Sequence, residues 1–454
     1  MQVSKLYAKH VNPSQIKLFS RFNFAKDLAE SAEGCWIKLV GGKRILDLTG
    51  GIGVLNHGHN HPRILKARID FQKRKEMEVH KNFLSPYIAG LCANIAEILP
   101  APLQFSYFAN SGAEAVEGAV KLAYKYHGGR RDYILHSNIS FHGKLLGAGS
   151  LTNSPEINFQ FPSINNTLSF RYNDIDDTLQ VINKIKKDGV SNVYALIIEP
   201  LNASSMQSCS ETYLSRIREA CNEHNIVLIF DEVYTGWAKT GFLFNFMRVS
   251  ELTPDILVYA KSFGGGKSSI SGYTYSKKIQ SAYNNLKDVT LHSTTYYGFG
   301  EETVTAVEAL NIIKDEDYVK KSQIIETLFK KELDDFFCKE NDFELRGSGA
   351  LWGIVLKDSK VVALQEKLSK IKNFEGKFMG DSNLFRKILN SAIINYLYEK
   401  HKILTYFGSN IDCPLIISFP LVANKFEVDY SVKAIKDVLS KNLILLITKF
   451  VLKI

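Results

Sequence analysis

The sequence predicts an α/β fold: a mostly parallel sheet flanked by helices, with a smaller α+β domain. Three observations carry that reading. Short apolar runs of strand length recur at 104–108, 133–136, 193–198, 226–230 and 256–260. Helical stretches lie between them, such as Glu211 to Glu223. Residues able to do chemistry, namely Asn110, Ser111, Glu199, Asp231 and Lys261, stand just beyond the carboxyl ends of the runs. Strands that alternate with helices pair in parallel through right-handed crossovers. Ligands of such sheets bind outside the carboxyl ends of the strands.

The elements follow in order. Trp36–Val40 and Arg44–Leu48 read as a hairpin turned by Gly41-Gly42. A glycine-rich stretch comes next, Gly50-Gly51-Ile52-Gly53, then Gly58-His59-Asn60-His61-Pro62. It lacks the spacing of a dinucleotide fingerprint. His57, His59 and His61 invite a metal reading, but alternating histidines before a proline read better as turn and packing residues. Ser111 caps a helix running to about Tyr126, with Glu114 completing a capping box. Residues 155–175 are polar and read as irregular. After about residue 320 the chain turns to helices and a few strands. At 454 residues it exceeds most single cores, so two domains are expected. The boundaries read as 1–62 for an N-terminal segment of the small domain, 63–320 for the large domain, and 321–454 for the C-terminal small domain.

Bulk properties exclude several classes. Hydrophobic residues make up 45% and charged residues 23%, an ordinary globular composition. The net charge of +9 is mild, and basic runs such as Gln72-Lys73-Arg74-Lys75 are short and followed by acids, so no nucleic-acid partner is expected. Six scattered cysteines contain no CxxC pair, which supports neither a zinc site nor a disulfide framework and suits a reducing cytoplasm. Met1–Lys5 lacks the apolar core of a signal peptide. The apolar tail Leu443–Leu452 is too short and too broken by lysines to span a bilayer, and reads as a helix packed on the body or on a partner subunit.

The chemistry centres on Asp255-Ile256-Leu257-Val258-Tyr259-Ala260-Lys261, followed at Gly264 by three glycines. A lysine at the end of a buried strand is desolvated, which lowers its pKa and suits it to form a Schiff base. Gly264–Ser269 imitates a P-loop ending, but the glycine that motif requires five residues earlier is Lys261. Ser111-Gly112-Ala113 opens a helix, where free amides and the dipole favour a phosphate. Asp231 could pair with a cationic ring nitrogen, and Phe141-His142-Gly143 offers an aromatic face. Phosphate, pyridinium and aldehyde are the three handles of pyridoxal 5′-phosphate.

These residues resemble the class III (ω-type) aminotransferases of pyridoxal-phosphate fold type I. The resemblance runs through Leu46–Val54, Gly58–Pro62, Asn110–Glu117 and Phe141–Gly143. Its most specific part is Leu228–Gly236, Lys239-Thr240-Gly241, Pro254–Leu257 and Lys261. It implies a mostly parallel seven-stranded-type sheet and a small α+β domain built from both chain ends. It implies that Lys261 carries the cofactor and moves the substrate α-proton, and that Asp231 keeps the pyridine nitrogen protonated. Val233 and Phe141 would cover the ring faces, Tyr234 would stand near the phenolic oxygen, and Ser111, Gly112 and Ala113 would hold the phosphate. Thr295, in His292-Ser293-Thr294-Thr295-Tyr296, matches a threonine that reaches the neighbouring subunit's phosphate, which implies a homodimer. The expected activity is amino-group transfer between an amine or amino acid and a keto acid or aldehyde. A glutamate semialdehyde-type aminomutase is the alternative on the same scaffold.

Three positions depart from the family. Tyr234 replaces a usual glutamine. Ser204 stands where many members have a glutamate after Glu199-Pro200. Ile416 stands where many carry an arginine for the substrate carboxylate. Isoleucine cannot supply a bidentate clamp. Without that arginine, the glutamate that neutralises it has no purpose. The pair of losses predicts a donor other than glutamate.

Overall fold

The computed structural model describes residues 2–154, 162–164, 166–283, 288, 290–339, 342–371, 374 and 380–452. Two compact units emerge, Gly53–Ser322 and Met1–Ile52 together with Gln323–Ile454.

The Gly53–Ser322 unit is built on a seven-stranded sheet. In chain order its strands are β1 (Leu103–Ala109), β2 (Tyr133–Ser137), β3 (Thr167–Phe170), β4 (Val193–Ile198), β5 (Val227–Asp231), β6 (Ile256–Tyr259) and β7 (Ser271–Ser276). They lie side by side in the order β1-β7-β6-β5-β4-β2-β3. β7 pairs antiparallel with both neighbours, and the remaining pairs are parallel. β4, β5 and β6 are buried at every position, as their unbroken apolar runs require of strands covered on both faces. The helix Gly112–Tyr126 places Ala115, Val116, Ala119, Leu122 and Ala123 against Ile134, Ile197, Ile229 and Val258. That spacing puts its apolar residues on one face. Each fully buried valine, leucine or isoleucine side chain contributes about 1.5–3 kcal/mol.

The start of β6 is tied down by charge. Asp255 Oδ2 accepts from Arg218 Nη1 at 3.0 Å and from the Leu228 amide at 2.9 Å. The Pro254-Asp255 part of the motif therefore fixes β6 to β5 at the end away from Lys261.

The second unit carries two four-stranded sheets. In one, Trp36–Leu39 and Arg44–Asp47 form the expected hairpin, with Gly41 and Gly42 at φ +94° and +86° in its turn. In the other, Leu415–Ser418 pairs with Leu351–Leu356 and Tyr406–Phe407. The apolar tail is a helix, Leu443–Leu452, that packs on the helix Ser382–Tyr396 and sets Phe450 against Phe22. Among the described residues no helix is long and apolar enough to cross a membrane.

Two readings change. The stretch 155–175 is not irregular throughout, because Thr167–Phe170 pairs with β2 as the edge strand. Its Thr167 and Ser169 mask the pattern, as an edge strand need bury only part of itself. Residues 155–161 and 165 lie outside the described residues. The strand β7 has no sequence counterpart in the reading above, since Ser271-Gly272-Tyr273-Thr274-Tyr275-Ser276 follows a glycine-rich loop and lacks a long apolar run.

Candidate active site

The carboxyl ends of β1, β2, β4, β5 and β6 open on one edge of the sheet, and each delivers a functional residue there. β1 feeds Asn110-Ser111 into the helix that starts at Gly112. Ser111 is extended, and its Oγ accepts the Glu114 amide at 3.2 Å. The capping box is shifted by one residue: Glu114 Oε2 accepts from the Asn110 amide at 2.8 Å, not from Ser111. Gly112 and Ala113, at the first turn, have no intrahelical acceptor for their amides. At Gly112 an added Cβ would stand 3.1 Å from Val233 Cγ1 and 3.5 Å from Ala260 Cβ. The helix start is therefore pressed against the ends of β5 and β6.

β2 leads to Phe141-His142, and β4 to Glu199. The Phe141 amide donates to Glu199 Oε2 at 2.9 Å, and Asn202 Nδ2 donates to the same oxygen at 2.6 Å. Burial, helped by the nearby Asp231 charge and opposed by His142, pushes the Glu199 carboxyl up to about 7. β5 ends at Asp231, which is buried. His142 Nδ1 donates to Asp231 Oδ2 at 2.7 Å, and the Val233 amide donates to Oδ1 at 3.0 Å. With Nδ1 so committed, His142 Nε2 is buried without a partner among the described residues.

β6 ends at Tyr259, and Lys261 follows in a short 3₁₀ turn. Its φ of +49° lies in the left-handed region, rare for a lysine and common at sites under functional constraint. Burial lowers the Lys261 amine to about 8, against the opposing pull of Asp231 and then Glu199. Lys261 Nζ lies 4.4 Å from the centre of the Tyr234 ring. Ser262 Oγ donates to Gly53 O at 2.8 Å, which joins the glycine-rich stretch to this turn.

The structure thus gathers Lys261, Asp231, Tyr234, Val233 and the Gly112 turn. Phe141 is held through Glu199. Thr295 is exposed, in a segment where Thr294 Oγ1 donates to Asn110 Oδ1 at 3.2 Å. Ser204 Oγ donates to Asn202 Oδ1 at 2.9 Å, on the residue that holds Glu199. Ile416 is fully buried in the second unit, opposite Gly353 and Tyr406. Sequence reasoning sets Glu199 at the strand rim and His142 inside the Phe-His-Gly motif, but it misses that His142 orients Asp231 and that Glu199 holds the Phe141 amide. The histidine trio is divided: His57 Nε2 lies 3.0 Å from Ala309 O, and His61 Nε2 lies 3.3 Å from Glu316 Oε1.

The donor set fits pyridoxal 5′-phosphate. A capped helix start leaves the Gly112 and Ala113 amides for an anion, a buried carboxylate is oriented by a histidine, and a desolvated amine stands beside them. A parallel sheet with one antiparallel strand and these groups at its carboxyl edge defines a fold type I pyridoxal-phosphate enzyme. The class-III aminotransferase family model matches residues 23–383, most of the chain. The chain belongs to that family, a family of pyridoxal-phosphate-dependent transaminases. Solved structures agree in fold. A transaminase from the marine bacterium Virgibacillus is 23% identical, with TM-score 0.84 over 99% of this chain and 100% of that one. A thermostable (S)-enantioselective omega-transaminase from Thermomicrobium roseum is 24% identical, with TM-score 0.81 over 97% and 98%. The ornithine aminotransferase of Toxoplasma gondii ME49 is 23% identical, with TM-score 0.74 over 91% and 90%. The family match favours amino transfer over the aminomutase alternative.

Proposed function

We propose that Lys261 is the residue that links the cofactor covalently and carries the proton of amino transfer, in an enzyme that works by a ping-pong mechanism. The observation that carries this is a lysine amine lowered to about 8 at the edge where Asp231 and the Gly112 helix start also lie. When bound, pyridoxal 5′-phosphate supplies a carbonyl for amine condensation and an electron-withdrawing ring. The chain's residues do the rest. Ser111, Gly112 and Ala113 hold the phosphate by hydroxyl and amides. Asp231, oriented by His142 Nδ1, would keep the ring nitrogen protonated. Val233 and Phe141 would pack on the ring, and Tyr234 would help to hold the cofactor. Lys261 Nζ accepts a proton from the substrate and returns it, for which a pKa near neutrality is well matched.

The Gly53–Ser322 unit is the cofactor-binding domain in this reading, and the other unit is the small domain. The protein acts as a homodimer in which Thr295 serves the neighbouring site; its exposure supports that role. Six free cysteines support a cytoplasmic location. The donor is an amine or amino acid other than glutamate, since Ile416 is buried and apolar and Ser204 is neutral. Turnover with the glutamate/2-oxoglutarate pair as fast as with the best donor found would overturn that choice. The whole reading is tested by Lys261→Ala. Borohydride reduction of the loaded wild type should fix the cofactor on the peptide containing Lys261. The variant should show no such adduct and no turnover; full activity in it would refute the assignment.

A further inference from the structure

Tyr234 does more than replace a glutamine. Its ring centre is 4.4 Å from Lys261 Nζ, inside the range of about 6 Å over which an aromatic face attracts a cation. The ring's place depends on Gly53. That residue has φ +86°, and an added Cβ would stand 2.8 Å from Cε1 and Cζ of Tyr234. The other charged groups acting on the amine are Asp231 at the end of β5 and Glu199 at the end of β4.

We propose that Tyr234 is a positioning residue for the Lys261 amine: its ring face holds Nζ as the ammonium, and Gly53 leaves the space that the ring needs. An aromatic face attracts only the charged form, so Tyr234 acts with Asp231 and Glu199 against desolvation. The face is the active part, and phenylalanine can supply it. Leucine or glutamine cannot. Tyr234 thereby sets the pH at which Lys261 becomes a free amine, and replacing it by a residue without a ring frees the amine at lower pH. This deepens the reading of Lys261 as the reacting amine.

The test uses the full chain stripped of pyridoxal phosphate. Lys261 is labelled with an amine-selective acylating reagent across a pH series, and the peptide that carries it is quantified by mass spectrometry. Wild type, Tyr234→Phe, Tyr234→Leu and Gly53→Ala are compared after each is shown to unfold cooperatively. Tyr234→Phe should titrate with the wild type. Tyr234→Leu should have a midpoint lower by about half a pH unit or more, as loss of a desolvated cation–π contact requires. Gly53→Ala, by displacing the ring, should move in the same direction. A Tyr234→Leu midpoint equal to that of the wild type would overturn the proposal, and so would a Tyr234→Phe shift as large as the leucine one. Labelling needs no turnover. A wrong functional reading shows separately, as wild type that fails to take up pyridoxal phosphate on Lys261.

Discussion

Asp231→Asn removes a negative charge with little change of shape, and two effects follow from where that charge sits. Asp231 accepts from His142 Nδ1 at 2.7 Å and from the Val233 amide at 3.0 Å. Asparagine can accept at its oxygen but presents an amide donor on the other side. A hydrogen bond to a charged group contributes about 1.5–3 kcal/mol. Losing the charge that is proposed to pair with the ring nitrogen should therefore slow turnover by roughly ten- to a hundred-fold. The second effect falls on Lys261. Burial lowers its amine to about 8, and Asp231 is the first of the charges that oppose the fall. Without that charge the amine titrates below about 8, so the limb of the pH–rate profile set by free Lys261 moves to lower pH. The assay is a cofactor titration by visible absorbance, followed by kcat across pH. Turnover within about twofold of wild type, or a Lys261 limb that stays in place or moves up, would refute this placing of Asp231.

Two further substitutions probe the supports of the site. Gly112→Ala brings a methyl to 3.1 Å from Val233 Cγ1, an overpacking that costs about 1–3 kcal/mol. Pyridoxal phosphate affinity should fall by roughly fivefold or more in a titration, and unchanged affinity would remove Gly112 from the phosphate turn. Asp255→Ala strips the acceptor from Arg218 Nη1 and the Leu228 amide, and breaking such a buried pair costs about 3–5 kcal/mol. Urea unfolding should show a lower midpoint; a loss under about 1 kcal/mol would mean that the tie is not structural.

Much of this site could be read from residue order, for a physical reason. The buried parallel strands β4, β5 and β6 must be continuous apolar runs, and a polar residue that ends such a run lies at the sheet edge. Glu199, Asp231 and Lys261 are legible on that ground alone. The helix at Gly112 was legible from its serine cap. What escaped depends on partners far apart in sequence. The link from His142 to Asp231 spans 89 residues, and that from Phe141 to Glu199 spans 58. Neither spacing carries a periodic signal. β7 escaped because serine, glycine and threonine fill alternate positions of a strand that is nonetheless buried throughout. The Tyr234 departure was visible as a substitution, but its contact with Lys261 required the turn that brings both residues together.

The left-handed backbone at Lys261 has a consequence for anyone who evolves this protein in the laboratory. A non-glycine residue at φ +49° carries a backbone penalty of about 1–2 kcal/mol, and a desolvated amine adds to it. Asparagine or glycine at that position would relieve both costs. A library screened for heat resistance alone would thus enrich changes at residue 261 and discard the amine proposed to react. Screening this chain safely means coupling every round of heating to a readout of amino transfer.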